Sequence, residues 1–244
     1  MFKQRANALA FGLFFGLAAA GLMIASGPSA AMPLSQNLEG YWQFNGNGND
    51  SSGNGRNLNI VGSGIGFGGG LSGQALALPG VVPLESQETN FAIRPIDDSV
   101  FNLGSNDFTV QAWVNFSSLA GEQSIVEKFD GPAGGGWTLT KTGGNQLVFF
   151  ADNGLVQVFP DASTISTGVF HQIVARRLED EVSVFFDGQL IGTQLLAPGT
   201  FIGPSGNPLL IGARNGGQNH PVDGLIDEVA IWTRGISNDD ISAT

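Results

Sequence analysis

Residues 45–50 are a dense run of oxygen-bearing side chains. They are Asn-Gly-Asn-Gly-Asn-Asp, so three amides and one carboxylate lie within six positions. Calcium takes amide, carboxylate and backbone carbonyl oxygens as ligands, and glycine lets a chain turn so that its carbonyls face inward. The run is therefore a candidate calcium site. The alternative is ordinary turn chemistry, in which Asp50 caps its own loop.

The acidic residues lack the spacing of a glycoside hydrolase. Retaining hydrolysis needs two carboxyl groups about 5–5.5 Å apart, which on one strand means alternate positions. Asp227 and Glu228 are adjacent, so a regular strand directs them to opposite faces. The acidic run at residues 179–181 is predicted to be a hairpin turn in solvent. A polysaccharide-degrading activity is therefore disfavoured.

Other enzyme classes also lack a complete residue set. A polysaccharide lyase needs a Tyr base with His and Arg on one sheet, and the single tyrosine, Tyr41, lies in the predicted opening strand. His171 is predicted to be a packed strand residue and His220, before Pro221, a loop residue. The sequence has no Gly-x-Ser-x-Gly elbow. We therefore expect no catalytic residues and no enzymatic activity.

Sugar-binding loops are a different possibility. Such sites combine aromatic faces with amide and backbone groups on loops that a rigid scaffold presents. Trp137 follows three glycines, and residues 215–220 contain amides around a Gly pair. The predicted ligand-binding residues are Trp137, Asn215, Gln218 and Asn219. The alternative for Trp137 is that it begins a strand and packs on the core.

The elements that must position these residues are short strands. Along residues 108–116 apolar and other side chains alternate, and residues 181–186 alternate before the turn signal Asp187-Gly188. Ten further short apolar runs are separated by Gly, Asn, Asp and Pro, which predicts a β-sandwich. The Gly-rich stretch 62–73 lacks the features of a phosphate loop and is predicted to be a surface loop. One short helix is expected after the capping box at Ser237.

The amino-acid composition argues against several classes of function. The chain has 244 residues, 37 Gly, no Cys and a net charge of −11. The acidity argues against nucleic acid and anionic membranes as partners, because both reward clustered Lys and Arg. Without cysteine there are no disulfides, thiolate metal sites, cysteine nucleophiles or lipoprotein anchors. Calcium is then the expected stabilising group for a domain that has no disulfides.

Residues 1–31 have the pattern of a signal peptide, which we expect to be helical and to precede the β-sandwich domain. Lys3 and Arg5 precede an uncharged apolar run over residues 8–25, then a Ser-Gly-Pro break and small residues up to Ala31. The alternative is an uncleaved membrane anchor. We expect cleavage, which leaves residues 32–244 as one domain, secreted or in the cell envelope or periplasm. Loss of two cations takes the net charge from −11 to −13.

Five segments in order carry a family resemblance. Each motif is short, but together they cover nearly all of residues 38–243. They resemble the laminin-G-like jelly-roll family of the concanavalin A-like lectin/glucanase superfamily. One departure is Phe-His-Gln at residues 170–172, where the family usually has Trp-His-His. The segments are Tyr41–Phe44 with Asn49–Gly55, Gly73–Leu76, Asp107–Val114, Phe170–Val174 with Val184–Gly188, and Gly224–Trp232.

The resemblance implies an all-β, two-sheet antiparallel jelly roll. It also implies a structural calcium between the first strand region and an acid on the last strand. Matched position by position, Asp50 and Asp227 supply carboxylates, and Asn45 with its neighbours supplies carbonyls.

The expected function is an exported, non-catalytic carbohydrate- or protein-binding or adhesion module with a structural calcium. Its partner is a glycan or an extracellular protein, and neither nucleic acid nor, after signal cleavage, a membrane. The alternative is a cell-envelope structural or assembly protein that makes protein contacts only.

Overall fold

Two antiparallel sheets pack face to face in the computed structural model, which describes residues 32–80, 90–131, 134–158, 165–214 and 219–244. Within these residues the helical elements are short: single 3₁₀ turns at Ser99–Phe101 and Asp152–Gly154, and the helix α1 at Asn238–Ala243. The predicted all-β sandwich is confirmed. The predicted signal peptide, residues 1–31, lies outside the described residues.

The first sheet has eight strands, ordered β13-β12-β11-β6-β15-β4-β3, with β1 also paired to β15. Its central strands β6 and β15 run antiparallel along nearly their whole length. The strands are β1 (Leu38–Trp42), β3 (Gly66–Gly69), β4 (Gln74–Pro79), β6 (Phe108–Phe116), β11 (His171–Leu178), β12 (Glu181–Phe186), β13 (Gln189–Leu195) and β15 (Asp223–Trp232).

The second sheet has seven strands, ordered β10-β9-β8-β7-β14-β5-β2. The strands are β2 (Asn59–Val61), β5 (Phe91–Ile93), β7 (Gln123–Phe129), β8 (Gly136–Lys141), β9 (Leu147–Ala151), β10 (Val156–Val158) and β14 (Leu210–Ile211).

The core lies between the sheets and follows the alternation of the strands. On β6 the predicted apolar face, Phe108 to Phe116, is buried against the second sheet. Phe149 of β9 packs on Phe108 and Trp137, with ring centroids 5.3 and 6.3 Å apart. The predicted surface loop at residues 62–73 is wrong in part, because β3 forms within it and pairs with β4.

The outer face of the first sheet is covered by α1 and the N-terminal segment. Ser237 caps α1 through the predicted capping box with Asp240. Ile241 is fully buried in a cluster with Val174 and Trp232. This covering gives the sheet a second, smaller apolar layer, in which cavities can form.

Two fully buried lysines brace the loops. Lys141 Nζ donates to the carbonyls of Leu119, Gly121 and Thr142 and to Asn145 Oδ1, at 2.7–3.0 Å. A buried ammonium is tolerated when oxygen acceptors surround it. Lys128 Nζ likewise donates to the carbonyls of Ser205 and Asn207 and to the carboxylate of Asp97.

Residues Pro33–Thr244 form one compact unit. None of the helices within the described ranges is long and apolar enough to cross a membrane.

Candidate binding cavity at the β15 bulge

A β-bulge interrupts β15 at Asp227 and Glu228. The residues before it pair with β4, the residues after it pair with β1, and the register against β6 shifts between Asp227 and Ala230. Glu228 has φ 48°, in the left-handed region that side chains rarely adopt. The bulge therefore lies at the point along β15 where its partner strand changes from β4 to β1.

The bulge turns both acids to the outer face of the sheet. Ile226 and Val229, on either side of them, both lie in the core between the sheets. The expectation that Asp227 and Glu228 point to opposite faces is therefore wrong, because a bulge adds one residue and breaks the period of two.

Asp227 is fully buried at the bulge. Its Oδ2 accepts a hydrogen bond from Leu71 N–H at 2.8 Å, and its Oδ1 accepts one from Glu228 N–H at 2.9 Å. Burial raises the pKa of Asp227 to about 6, although these N–H donors act to lower it. Gly70 permits this approach, since a Cβ there would lie 2.5 Å from Oδ2.

Tyr41 of β1 donates its hydroxyl hydrogen bond to Glu228 Oε2. Burial, with the Glu228 hydrogen bond and charge, raises the pKa of Tyr41 well above its ordinary value. A phenol with a raised pKa remains a neutral donor and is a poor general base. The pair joins β1 to the bulge.

A cavity of about 490 Å³ opens beside this pair. The volume lies in the range of small-molecule sites, roughly 300–1,000 Å³. Gln43 and Gln111 add amide groups to the wall, and Leu71 and Trp232 add apolar surface. The cavity thus combines a carboxylate, a phenol and two amides on a rigid sheet.

A second cavity, of about 520 Å³, lies beside His171 and Asp187. Here His171 Nδ1 lies 2.8 Å from Asp187 Oδ2, and His171 Nε2 lies 2.9 Å from Ser166 Oγ. These contacts have the order of a Ser-His-Asp triad.

Backbone contacts favour a structural role for this Ser-His-Asp set. Ser166 N–H donates to His171 Nε2, and Gly168 N–H donates to a carbonyl, so neither amide is available to an oxyanion. Asp187 Oδ1 also accepts from Gln172 N–H. The set therefore fixes the turn after β12.

The predicted metal ligand Asp50 caps its own loop. Its two oxygens accept hydrogen bonds from the N–H groups of Tyr41, Ser52 and Arg56 and from the Ser52 hydroxyl, at 2.9–3.0 Å. Burial acts to raise the pKa of Asp50, but these hydrogen bonds outweigh it and hold the pKa below its ordinary value. This is the alternative that the sequence left open.

The other two predicted ligands hold one turn together. Asn45 Oδ1 accepts from Gln74 N–H at 2.7 Å, and Asp227 accepts from Leu71 N–H in the same β3–β4 turn. Calcium needs about six to eight oxygen ligands, yet these oxygens already accept N–H hydrogen bonds. Among the described residues no three acidic or His side chains are grouped to hold a metal. As arranged here these residues do not fit calcium, and a binding experiment is what tests the ion that the sequence predicts.

The four predicted sugar-binding residues have different outcomes. Trp137 is fully buried and its indole N–H donates to the Phe101 carbonyl at 2.8 Å. Its prediction as a ligand-binding residue is wrong, because β8 directs the ring into the core. Asn219 is exposed and its backbone pairs with Arg214. Asn215 and Gln218 lie outside the described residues.

Sequence reasoning missed an ionic cluster on the second sheet and the cavity itself. Arg214 contacts Glu127 at 2.9 Å and Glu122 at 2.8 Å, and its guanidinium stacks over Phe129. No local signal marks this cluster. The cavity has none either, because the bulge beside it lies where β15 changes between two partner strands that are distant in sequence.

The Laminin_G_3 family model, of the Concanavalin A-like lectin/glucanases superfamily, matches residues 91–242. The chain belongs to this laminin-G family. The predicted resemblance is therefore confirmed. No curated protein matches the sequence of this laminin-G chain.

Solved structures share the laminin-G fold at low identity. Domain 4 of AbnA, a GH43 extracellular arabinanase from Geobacillus stearothermophilus in complex with arabinotriose, is 20% identical with a TM-score of 0.66, covering 85% of this chain and 97% of that one. The binding domain of Paraclostridial Mosquitocidal Protein 1 is 18% identical with a TM-score of 0.67, covering 86% of this chain and 52% of that one.

A structure of botulinum neurotoxin type C, whose cell entry depends on interaction with two ganglioside molecules, is 14% identical with a TM-score of 0.62. It covers 86% of this laminin-G chain and 50% of that chain. The chain thus spans about half the length of these toxin structures but nearly all of the arabinanase domain. At such identities the likeness shows the fold alone.

Proposed function

We propose that this laminin-G domain is an exported, non-catalytic binding module that holds a glycan in the cavity at the β15 bulge. The observation that carries this is the Tyr41–Glu228 pair beside Gln43 and Gln111 in a cavity of about 490 Å³. Sites for small polar ligands are concave and mostly preformed, with a few convergent polar groups. The sheet and its bulge preform this one.

The acids at the bulge favour binding over catalysis. Asp227 is buried and accepts two N–H bonds, so it has no free access to a substrate. Tyr41 remains protonated because its pKa is raised. Neither Asp227 nor Tyr41 suits a general base. Glu228 is the one carboxylate side chain among the described residues that line the cavity, whereas glycoside hydrolysis needs two.

Two related structures support a carbohydrate partner. The arabinanase domain is in complex with arabinotriose, and botulinum neurotoxin type C interacts with gangliosides. One is a sugar complex and the other a protein whose cell entry depends on sugar-bearing lipids, although the fold hosts many functions.

A protein partner is the second candidate. Leu190 and Leu195 on the edge strand β13 are 53% and 79% exposed. Edge strands that expose apolar side chains are sites for pairing with another chain. The binding domain of botulinum neurotoxin DC, which has a similar fold, is in complex with rat synaptotagmin II.

Export rests on residues 1–31, with the apolar run and small-residue site of a signal peptide. We expect the mature protein outside the cytoplasm to begin near residue 32, as N-terminal sequencing can establish. An intact Met1 on exported protein contradicts cleavage.

A broad oligosaccharide screen on the purified protein tests the function. We expect saturable binding to at least one glycan and no release of reducing ends from bound glycans. Silence across the panel contradicts glycan binding, and released reducing ends contradict the non-catalytic role.

A further inference from the structure

The polar groups of the cavity at the bulge form one directed chain. Gln43 contacts the Tyr41 hydroxyl, and that hydroxyl donates to Glu228 Oε2. A carboxylate accepts at both oxygens, and in the described ranges no donor contacts Glu228 Oε1, which remains as an acceptor. On one side the cavity therefore offers a charged acceptor.

On the other side the cavity offers a neutral donor. Gln111 Oε1 accepts hydrogen bonds from the Thr244 hydroxyl and the Gln172 amide, at 2.7 and 3.4 Å. These bonds fix the orientation of the Gln111 amide and leave its NH₂ group to donate. In the described part of the chain, no contact to that nitrogen satisfies it.

A sugar hydroxyl both donates and accepts, so it fits this arrangement. One hydroxyl can donate to Glu228 while a neighbouring one accepts from Gln111. Leu71 and Trp232 line the same cavity and offer apolar surface to the C–H groups of a ring. An ammonium ligand would satisfy Glu228 but give the Gln111 N–H no acceptor.

The described residues that line the cavity include an acid but no basic residue. None of these described residues is Lys, Arg or His, and the acid Glu228 adjoins the buried acid Asp227. A carboxylate or sulfate brought here would lose its hydration and face a like charge without a cation. We infer, resting on the proposed function, that the cavity selects neutral glycans and rejects acidic ones, with Glu228 as the selecting residue.

Matched sugar pairs test the selectivity by isothermal titration: lactose against 3′-sialyllactose, and a neutral galactose trimer against trigalacturonate. We expect the neutral member of a bound pair to bind at least about tenfold more tightly, the scale of one charged hydrogen bond. Equal or tighter binding of the acidic members overturns the selectivity but leaves glycan binding intact. Failure of all four sugars, and of the broad screen, contradicts the proposed function itself.

The variant Glu228→Gln tests the assigned residue. It keeps the shape but removes the charge, so we expect weaker binding of the neutral sugar and a smaller neutral-to-acidic ratio. The matched control is Glu181→Gln, at the exposed first residue of β12 in the same sheet and outside the cavity lining. An unchanged ratio in Glu228→Gln, in a variant that melts like the native protein, overturns the assignment. If that variant unfolds, Gln111→Ala must lose neutral-sugar affinity, and an unchanged affinity overturns the proposal.

Discussion

The Tyr41 hydroxyl donates a hydrogen bond to the Glu228 carboxylate and so ties β1 to the bulge of β15, across 187 positions of sequence. It forms where the strand beside β15 changes from β4 to β1. This hydrogen bond thus connects β1 to β15 at the bulge, and its two side chains form part of the polar wall of the cavity.

Tyr41 is expected to titrate above the ordinary tyrosine pKa in the native protein. It is the single tyrosine, so tyrosinate absorbance reports it alone. Burial first, then Glu228, raises its pKa above the ordinary value of 10.0. The resulting stability is present below pH 10 and is lost as the pH rises towards the folded-state pKa. A spectrophotometric titration checks this, with Tyr41→Phe as the blank; a native midpoint at the ordinary value contradicts the buried pair.

Asp50→Ala is expected to lower the free energy of unfolding by about 1–3 kcal/mol. The change leaves the loop donors of Tyr41, Ser52 and Arg56 without their acceptor. Because the folded-state pKa of Asp50 is held below 3.8, its stabilisation is present above that pH and is lost as the pH falls further. Urea unfolding of both proteins at several pH values measures the difference. A difference that stays constant through the acid range would rule out this role.

Lys141→Met is expected to cost about 3–5 kcal/mol, since it removes a buried charge from a set of oxygen acceptors. Asn145→Gly removes one of the four acceptors at a residue with φ 62°, where glycine is unstrained, so it is the matched partial change and should cost about 1 kcal/mol. Denaturant unfolding compares the two. Equal, small effects would show that the ammonium does not brace these loops.

Calcium is tested by a thermal melt with the ion and then with a chelator. Asn45, Asp50 and Asp227 already accept N–H hydrogen bonds, so we expect an unchanged melting temperature. A rise with calcium that chelator removes and Asp227→Asn abolishes would instead establish the site that the sequence predicts, because a ligand that binds only the folded state stabilises it.

Local patterns predicted the elements well. The alternation on β6 and the capping box at Ser237 each depend on residues close in sequence, and both are confirmed. Trp137 shows the limit, since its flanking glycines suggested a loop while pairing with β9 directs it inward.

The cavity depends on contacts that no local pattern contains. Tyr41, Gln111 and Glu228 come from three strands, and only the register of β1 and β6 against β15 brings them together. The bulge also overrides the period of two on which the placement of Asp227 and Glu228 rested. Long-range register, rather than residue type, therefore hid the site.

The most direct test is a crystal structure of the protein with a neutral oligosaccharide that the screen identifies. The account predicts a sugar ring in the cavity at the β15 bulge, with hydroxyl groups bonded to Glu228 and Gln111. A sugar bound elsewhere, such as against Arg214 on the second sheet, with the cavity empty, would contradict it.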